Sequence, residues 1–218
     1  QELKAECRGG LRLCGFSESG DPESGKVVLK KEVKIHGRNV LVRITLTHAS
    51  ASESFVLNKG ELHARQKKLT LQSEENFFDG LKTADMVFYN GHSRNGGGPD
   101  FNPPILNKKG KVDYNGYYEV KRIGIKRTYS SLKENPNQGF ILGLFSCYSR
   151  KHFYSDFMKI NPMQKLILTA ETIDYFDTLM ASMGYLEGFL RGGCGQELAD
   201  TAKQGQKIKN GFVGTQLN

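Results

Sequence analysis

The chain has 218 residues, with 31 basic and 23 acidic side chains and a formal net charge of +8. Its 13 Phe and 9 Tyr residues are enough for the core of one domain of ordinary size, which excludes global disorder. No apolar run approaches the roughly 18 residues of a membrane-spanning helix, so no membrane span is expected. The basic residues are scattered and match no nucleic-acid-binding motif, so we interpret them as solvated charge and predict no nucleic-acid partner.

The four cysteines fall into separate classes. Cys7 and Cys14 have six residues between them; they form a small disulfide loop if the protein is exported and are free thiols if it is cytosolic. The disulfide is favoured, and the chain starts at Gln1 rather than Met, so we expect a secreted or periplasmic protein. Cys194 is interpreted as structural, whereas Cys147 ends an apolar run. No cysteine or histidine spacing matches a zinc site, so neither a metal nor a cofactor is predicted.

The N-terminal part of the chain has the pattern of β-structure. Apolar and polar residues alternate with a period of two over residues 27–29, 32–35 and 40–46. Residues 36–39, His-Gly-Arg-Asn, have the composition of a turn. We therefore expect an antiparallel hairpin over residues 26–47, followed by a loop.

From residue 74 the pattern changes to helices that alternate with continuous apolar strands. Helices are predicted over residues 74–81, 121–135, 151–158 and 172–190. Strands are predicted over residues 84–90, 140–145 and 165–170, and a loop rich in Gly and Pro over residues 94–107. Strands without polar alternation are typical of a parallel sheet that is buried on both faces, so the predicted fold class is α/β.

The last of these helices carries the clearest amphipathic pattern. Either Thr172 or Asp174 is predicted to cap its N-terminus, and Gly192-Gly193 to end it. One apolar stripe is expected to face the core, formed by Phe176, Leu179, Met180, Met183, Leu186 and Leu190.

Residues with catalytic chemistry follow each of the three predicted strands. His92 follows the first strand, Cys147 the second and Glu171 the third. In open parallel sheets ligands bind at the carboxyl ends of the strands, so these residues are the candidates for a site. A cysteine thiolate can attack a carbonyl carbon, and a neighbouring imidazole can take up the thiol proton and later protonate the leaving amine.

This arrangement resembles the caspase-like cysteine peptidases, a group that includes caspases, legumains, clostripain and gingipains. The resemblance rests on residues 86–92, Met-Val-Phe-Tyr-Asn-Gly-His, and residues 141–147, Ile-Leu-Gly-Leu-Phe-Ser-Cys. The separation of 55 residues between His92 and Cys147 is close to the roughly 50 of caspases. The resemblance covers about residues 74–190 and implies a three-layer sandwich, with a mostly parallel central sheet and helices on both faces. Because the length suits one domain, we expect a single caspase-like domain over residues 1–218, with the hairpin as its N-terminal part.

The resemblance implies a role for each matching residue. Cys147 is the nucleophile and His92 the general acid and base of a thiol peptidase, and the backbone N–H groups of Cys147 and Ser93 form the oxyanion hole. Three positions depart from the family pattern. Ser93 replaces the usual Gly after His, Ser146 replaces Ala before Cys, and the residues after Cys147 do not match the caspase signature. Cleavage after aspartate is therefore not expected.

Three acidic residues are candidates for binding the substrate residue before the scissile bond. Glu171 and Asp174 follow the third strand, and Asp100 lies in the loop after His92. An acidic pocket selects Arg or Lys, as in the clostripain-like and gingipain-like branches. For Asp174, the alternative interpretation is a helix cap without a role in binding.

Two further functions are kept as alternatives. One is a caspase-like binding domain or scaffold without activity. The other is an α/β-hydrolase in which Ser93 of the segment 91–96 is the nucleophile. The second is disfavoured because Asn95 stands where that motif needs Gly, and the Gly- and Pro-rich residues that follow are poor helix formers. The same segment lacks the Gly-Lys-Ser/Thr pattern of a nucleotide-binding loop.

Overall fold

The structure, a computed structural model, describes residues 2–51, 60–119, 123–135, 139–203 and 212–215. The strands within these ranges are β1 Ser17–Ser19, β2 Lys26–Ile35, β3 Arg38–Thr47, β4 Met86–Asn90, β5 Ile141–Phe145, β6 Lys165–Thr169 and β7 Phe212–Thr215. The α-helices are α1 Leu62–Thr83, α2 Tyr114–Glu119, α3 Ile123–Glu134, α4 Ser149–Ile160, α5 Tyr175–Leu190 and α6 Gln196–Lys203. Within the described part of the chain, no helix has the length and apolar character needed to span a membrane.

The N-terminal sheet has the order β1-β2-β3 and is antiparallel. Strands β2 and β3 pair from Lys26 opposite Thr47 to Ile35 opposite Arg38, which confirms the predicted hairpin over residues 26–47. The turn contains two residues rather than four. Both have a positive φ, 47° at His36 and 80° at Gly37, as in the turns whose twist matches a hairpin. The short strand β1, Ser-Glu-Ser, was not predicted because it has no apolar alternation.

The segment before this sheet is closed by a disulfide and is joined to α5 by hydrogen bonds. Cys7 and Cys14 form the favoured disulfide. The carboxylate of Glu187, on α5, accepts hydrogen bonds from the backbone N–H groups of Arg12 (2.9 Å) and Leu13 (2.7 Å). Burial alone would raise the pKa of Glu187, but these hydrogen bonds and the nearby Arg191 outweigh it and lower the pKa.

The second sheet has the order β4-β5-β6-β7. Strands β4, β5 and β6 run parallel, and β7 joins β6 in the antiparallel direction. One face of the sheet is covered by aromatic and aliphatic side chains of α1, α3 and α4, and the other face by α5 and α6. The structure thus confirms an α/β fold with a parallel set of strands and helices on both faces. It adds β7, which the sequence pattern did not predict.

Helix α1 is much longer than the predicted helix over residues 74–81, because it begins at Leu62. Its first three turns bury Gln66, Leu69, Thr70 and Ser73. This spacing of three or four residues is that of a helix. Because three of these four residues are polar, apolar periodicity alone does not predict the first half of this helix.

Helix α5 confirms Asp174 as the N-cap, since its carboxylate accepts a hydrogen bond from the Asp177 N–H at 2.8 Å. The predicted apolar stripe is wrong in its first half. Phe176 is 44% exposed and Leu179 50% exposed, although Leu190 is buried. The face that packs on the sheet at the start of the helix is instead formed by small or polar residues, namely Asp177, Thr178, Ala181 and Ser182. Cys194, which was interpreted as structural, has an exposed free thiol.

Candidate active site

The register of β4 and β5 brings the ends of these two strands together. Asn90 and Phe145 are the last paired residues, and the N–H of Gly91 donates to the Phe145 carbonyl at 3.3 Å. His92 and Cys147 each lie two residues beyond that pair. Adjacent strands are about 4.8 Å apart, so the two residues follow neighbouring strands at the same carboxyl edge of the sheet.

Cys147 lies in a tight turn between β5 and α4. The following residue, Tyr148, has a left-handed backbone conformation with φ of 54°, and α4 begins directly after it. The Tyr148 N–H donates to the Glu171 carbonyl at 2.9 Å. The half-buried thiol of Cys147 donates to the Ile173 carbonyl at 3.6 Å. The loop that follows β6 therefore forms one side of the thiol's surroundings.

Buried hydroxyl groups hold this turn in place. The Ser149 hydroxyl donates to the Leu144 carbonyl at 2.7 Å and accepts from the Thr169 N–H at 2.8 Å. The Thr169 hydroxyl donates to the Ser146 carbonyl. All three polar residues, Ser146, Ser149 and Thr169, are fully buried. Neither Ser149 nor Thr169 was singled out from the sequence, because their pairing depends on the register between β5 and β6.

A different set of contacts holds the turn that carries His92. The Tyr89 hydroxyl lies 3.1 Å from the His92 carbonyl and 3.0 Å from the Asp100 carbonyl, and it accepts the Asp100 N–H at 3.1 Å. Burial raises the pKa of Tyr89 to about 12, so the hydroxyl stays protonated at neutral pH. The Ser93 carbonyl accepts the N–H groups of Gly96 and Gly98. Tyr89 therefore links the His92 turn to the end of the loop that it starts.

The electrostatic surroundings of His92 favour its neutral form. His92 has access to solvent, yet partial desolvation of the ring lowers its pKa. The nearby Arg94 guanidinium lowers the pKa further, while Asp100 opposes the shift. The lowered pKa favours the neutral imidazole, which can accept a proton. Within the described residues, no hydrogen bond joins this ring to the Cys147 thiol.

The two backbone groups predicted for the oxyanion hole are available as donors. In the part of the chain that the structure describes, the N–H groups of Ser93 and Cys147 donate to no acceptor. The Ser93 residue is only 7% exposed. The Ser93 side chain, at the position where the resemblance would expect Gly, is therefore buried.

The three acidic candidates have different surroundings. Asp100 forms an ion pair with Arg94 at 3.1 Å, and both side chains are largely buried, so its charge is already compensated. Asp174 is the N-cap of α5. Glu171 is exposed, and its carboxylate has no hydrogen bond or ion pair with the described residues. Of the three, Glu171 alone has a carboxylate with neither a hydrogen bond nor an ion pair to the described residues, and its backbone carbonyl contacts the Cys147 turn.

The structure also bears on the Ser93 alternative. A nucleophile elbow must lead directly into a helix. Here Ser93 is buried and precedes a single 3₁₀ turn, Arg94–Gly96, after which the chain continues as a loop. The required helix does not follow, so the hydrolase mechanism loses its structural basis.

No group of three or more His, Cys, Asp or Glu side chains suited to a metal ion occurs in the described ranges. Comparisons with protein-family models, with curated proteins and with solved structures found no match to this chain.

Proposed function

We propose that this protein is a cysteine peptidase of the caspase-like type, with Cys147 as the nucleophile and His92 as the general acid and base. The observation that carries the proposal is the matched position of the two residues. Each lies two residues beyond the paired residues Asn90 and Phe145 of adjacent parallel strands. The proposal includes the finer description of the fold as a caspase-like sandwich, and an oxidising compartment outside the cytosol, which the Cys7–Cys14 disulfide supports.

In the proposed reaction, the neutral His92 imidazole accepts the proton of the Cys147 thiol, and the thiolate attacks the carbonyl carbon of the peptide bond. The tetrahedral oxyanion accepts hydrogen bonds from the N–H groups of Cys147 and Ser93. The imidazolium then gives its proton to the leaving amine, and the C–N bond breaks. Water, deprotonated by the same imidazole, hydrolyses the thioester and regenerates the thiol.

For specificity we propose cleavage after Arg or Lys, with Glu171 as the residue that binds the basic side chain. Its support is that Glu171 is exposed and that its backbone carbonyl accepts the N–H of Tyr148, the residue after Cys147. Asp100 and Asp174 are engaged by Arg94 and by the first turn of α5. A set of fluorogenic peptides that differ only at this position tests the proposal. A preference for Asp or for apolar residues, or an unchanged preference in Glu171→Gln, contradicts it.

A caspase-like binding domain without activity is the second candidate function. One observation favours it, namely that the Cys147 thiol donates to the Ile173 carbonyl and not to His92. In an active enzyme, this contact must open so that the thiol can reach the imidazole.

Hydrolysis of a mixed fluorogenic peptide library distinguishes the two candidates. We expect turnover by the wild type and by Cys194→Ser, which lacks the exposed thiol. In Cys147→Ser and His92→Ala, turnover should fall by about 10³-fold or more, as for other nucleophile and base variants. Full activity of Cys147→Ser contradicts the mechanism. A folded wild type that cleaves no peptide and reacts with no peptidyl ketone inhibitor favours the binding domain.

A further inference from the structure

A cavity of about 320 Å³ opens between α1, α3 and the loop over residues 97–105. Its apolar wall is formed by Phe78, Phe101, Pro103, Ile105 and Tyr117. Neither the Cys147 turn nor the loop after β6 contributes to the lining. The cavity is thus separate from the thiol, and its volume is in the range of small-molecule sites, about 300–1,000 Å³.

The charged groups of the cavity are compensated in pairs. Arg94 is paired with Asp100 at 3.1 Å, and Arg127 with Glu74 at 3.1 Å. Two cations and two carboxylates leave the lining without net charge. A charged ligand would lose its hydration without gaining an unpaired counter-ion, so the site favours an uncharged ligand.

Two planar guanidinium groups of the lining are stacked on two of its aromatic rings. The Arg127 guanidinium lies over the Phe78 ring at 3.8 Å, and the Arg94 guanidinium lies over the Tyr117 ring at 5.0 Å. Planar rings pack well on aromatic and guanidinium faces. An apolar cavity of about 150 Å³ is enough for benzene, and this cavity is about twice that size.

From the compensated charge, the planar groups of the lining and the volume, we propose that this cavity binds an uncharged bicyclic aromatic compound. The proposal does not depend on the peptidase, because the cavity shares no lining residue with the Cys147 turn.

The site is in contact with the loop that begins at His92. Gly97, Pro99 and Asp100 belong to both the loop and the cavity wall. The Ile125 N–H of α3 donates to the Gly97 carbonyl at 3.1 Å. A Cβ atom on the neighbouring Gly124 would lie 1.8 Å from the Pro99 carbonyl oxygen, so only glycine allows this close approach. A ligand between the helices and the loop therefore stabilises the loop in its present position.

Indole is a suitable probe, because it is uncharged, bicyclic and aromatic. Its binding can be followed by ligand-observed NMR with Cys147→Ser protein, which separates the result from any peptidase activity. We expect saturable binding by this protein and at least about tenfold weaker binding when Ile105→Trp is added to fill the cavity. The matched control is Leu71→Trp, a similarly exposed apolar residue that does not line the cavity, and it should bind indole unchanged.

Amide hydrogen exchange provides a second measurement that needs no cavity variant. Indole should slow exchange in residues 93–105 and leave the N-terminal hairpin unaffected. Indole-3-acetate, which carries a charge, should bind more weakly than indole. The proposal is overturned if indole does not bind, if indole-3-acetate binds as tightly as indole, if Leu71→Trp weakens binding as much as Ile105→Trp, or if the protected amides lie elsewhere. Loss of peptidase activity in any variant has no bearing on these outcomes.

Discussion

The two turns that carry His92 and Cys147 are held in place by different kinds of contact. The Cys147 turn is tied to the sheet by short hydroxyl side chains, Ser149 and Thr169, which are buried and reach backbone groups of β5 and the turn itself. The His92 turn is held by two longer side chains, Tyr89 of β4 and Arg94 of the loop. Both contact Asp100 at the far end of the loop.

The difference indicates that His92 can change its position more readily than Cys147. The Cys147 turn is part of the core, so the thiol is presented by the sheet itself. The His92 turn is fixed by the Tyr89 hydroxyl of β4 and by the Arg94–Asp100 pair within the loop, and that loop also forms a wall of the cavity. We therefore expect a ligand or a mutation to alter the position of His92 more readily than that of Cys147.

The largest loss of stability is expected from Arg94→Ala. This change leaves the Asp100 carboxylate, 17% exposed, without its cation. Loss of one partner of such a pair should reduce the free energy of unfolding by about 3 kcal/mol, as measured by urea denaturation. Arg127→Ala is the matched control, because its guanidinium is 49% exposed in its pair with Glu74, and it should lose about 1 kcal/mol or less. Equal losses in the two variants would show that the loop does not depend on the buried pair.

At the Cys147 turn, a smaller loss of stability is expected from Ser149→Ala. Removal of this hydroxyl leaves the Thr169 N–H without its acceptor in a fully buried site. The free energy of unfolding should fall by about 2 kcal/mol. Ser155→Ala, at an exposed position on the same helix, should change it by less than about 0.5 kcal/mol. A loss of similar size at Ser155 contradicts the assigned role of the hydroxyl network.

Tyr89→Phe tests the His92 turn separately, because it removes one hydroxyl and leaves the ring. It should destabilise the protein by about 1–1.5 kcal/mol and speed amide exchange in residues 93–100 more than in residues 146–149. Tyr114→Phe, at a residue that is 61% exposed, serves as the control. Uniform acceleration of exchange in both turns would mean that Tyr89 acts on the whole core and not on the His92 turn.

The smallest effect is expected far from both turns, at Glu187. Replacing a charged acceptor by the neutral amide in Glu187→Gln should cost about 1 kcal/mol at pH 7. Because folding lowers the pKa of Glu187, its stabilisation is present above the ordinary value of 4.5 and is lost as the pH falls below it. Urea denaturation at pH 7 and at pH 3 should show a smaller difference between the two proteins at pH 3. An equal difference at both pH values would rule out the charge as its cause.

The elements predicted correctly are those in which apolar residues alone define the structure. The hairpin over residues 26–47 follows from alternation, and β4, β5 and β6 follow from continuous apolar runs. The positions of His92 and Cys147 at the strand ends could be predicted for the same reason.

The remaining features depend on polar contacts between segments that are distant in sequence. The first half of α1 is buried through polar residues, such as Gln66, which donates to Ala49 O and accepts from the Ala51 N–H. The exposure of Phe176 and Leu179 follows from the small and polar residues that α5 packs on the sheet. The ion pair of Asp100 with Arg94 can be predicted only if the path of the loop is known, and this loop contains several glycines and prolines. None of these contacts leaves a periodic pattern in the sequence.

The central claim is that His92 acts on the thiol of Cys147, and the rate of alkylation by iodoacetamide at pH 6.5 tests it most directly. The exposed Cys194 serves as an internal reference in the same sample, with both sites quantified by mass spectrometry. We expect the half-buried Cys147 to react faster than Cys194. His92→Ala should abolish this difference in rate and leave the rate of Cys194 unchanged. If Cys147 reacts no faster than Cys194, or reacts equally fast with and without His92, the proposed dyad is wrong.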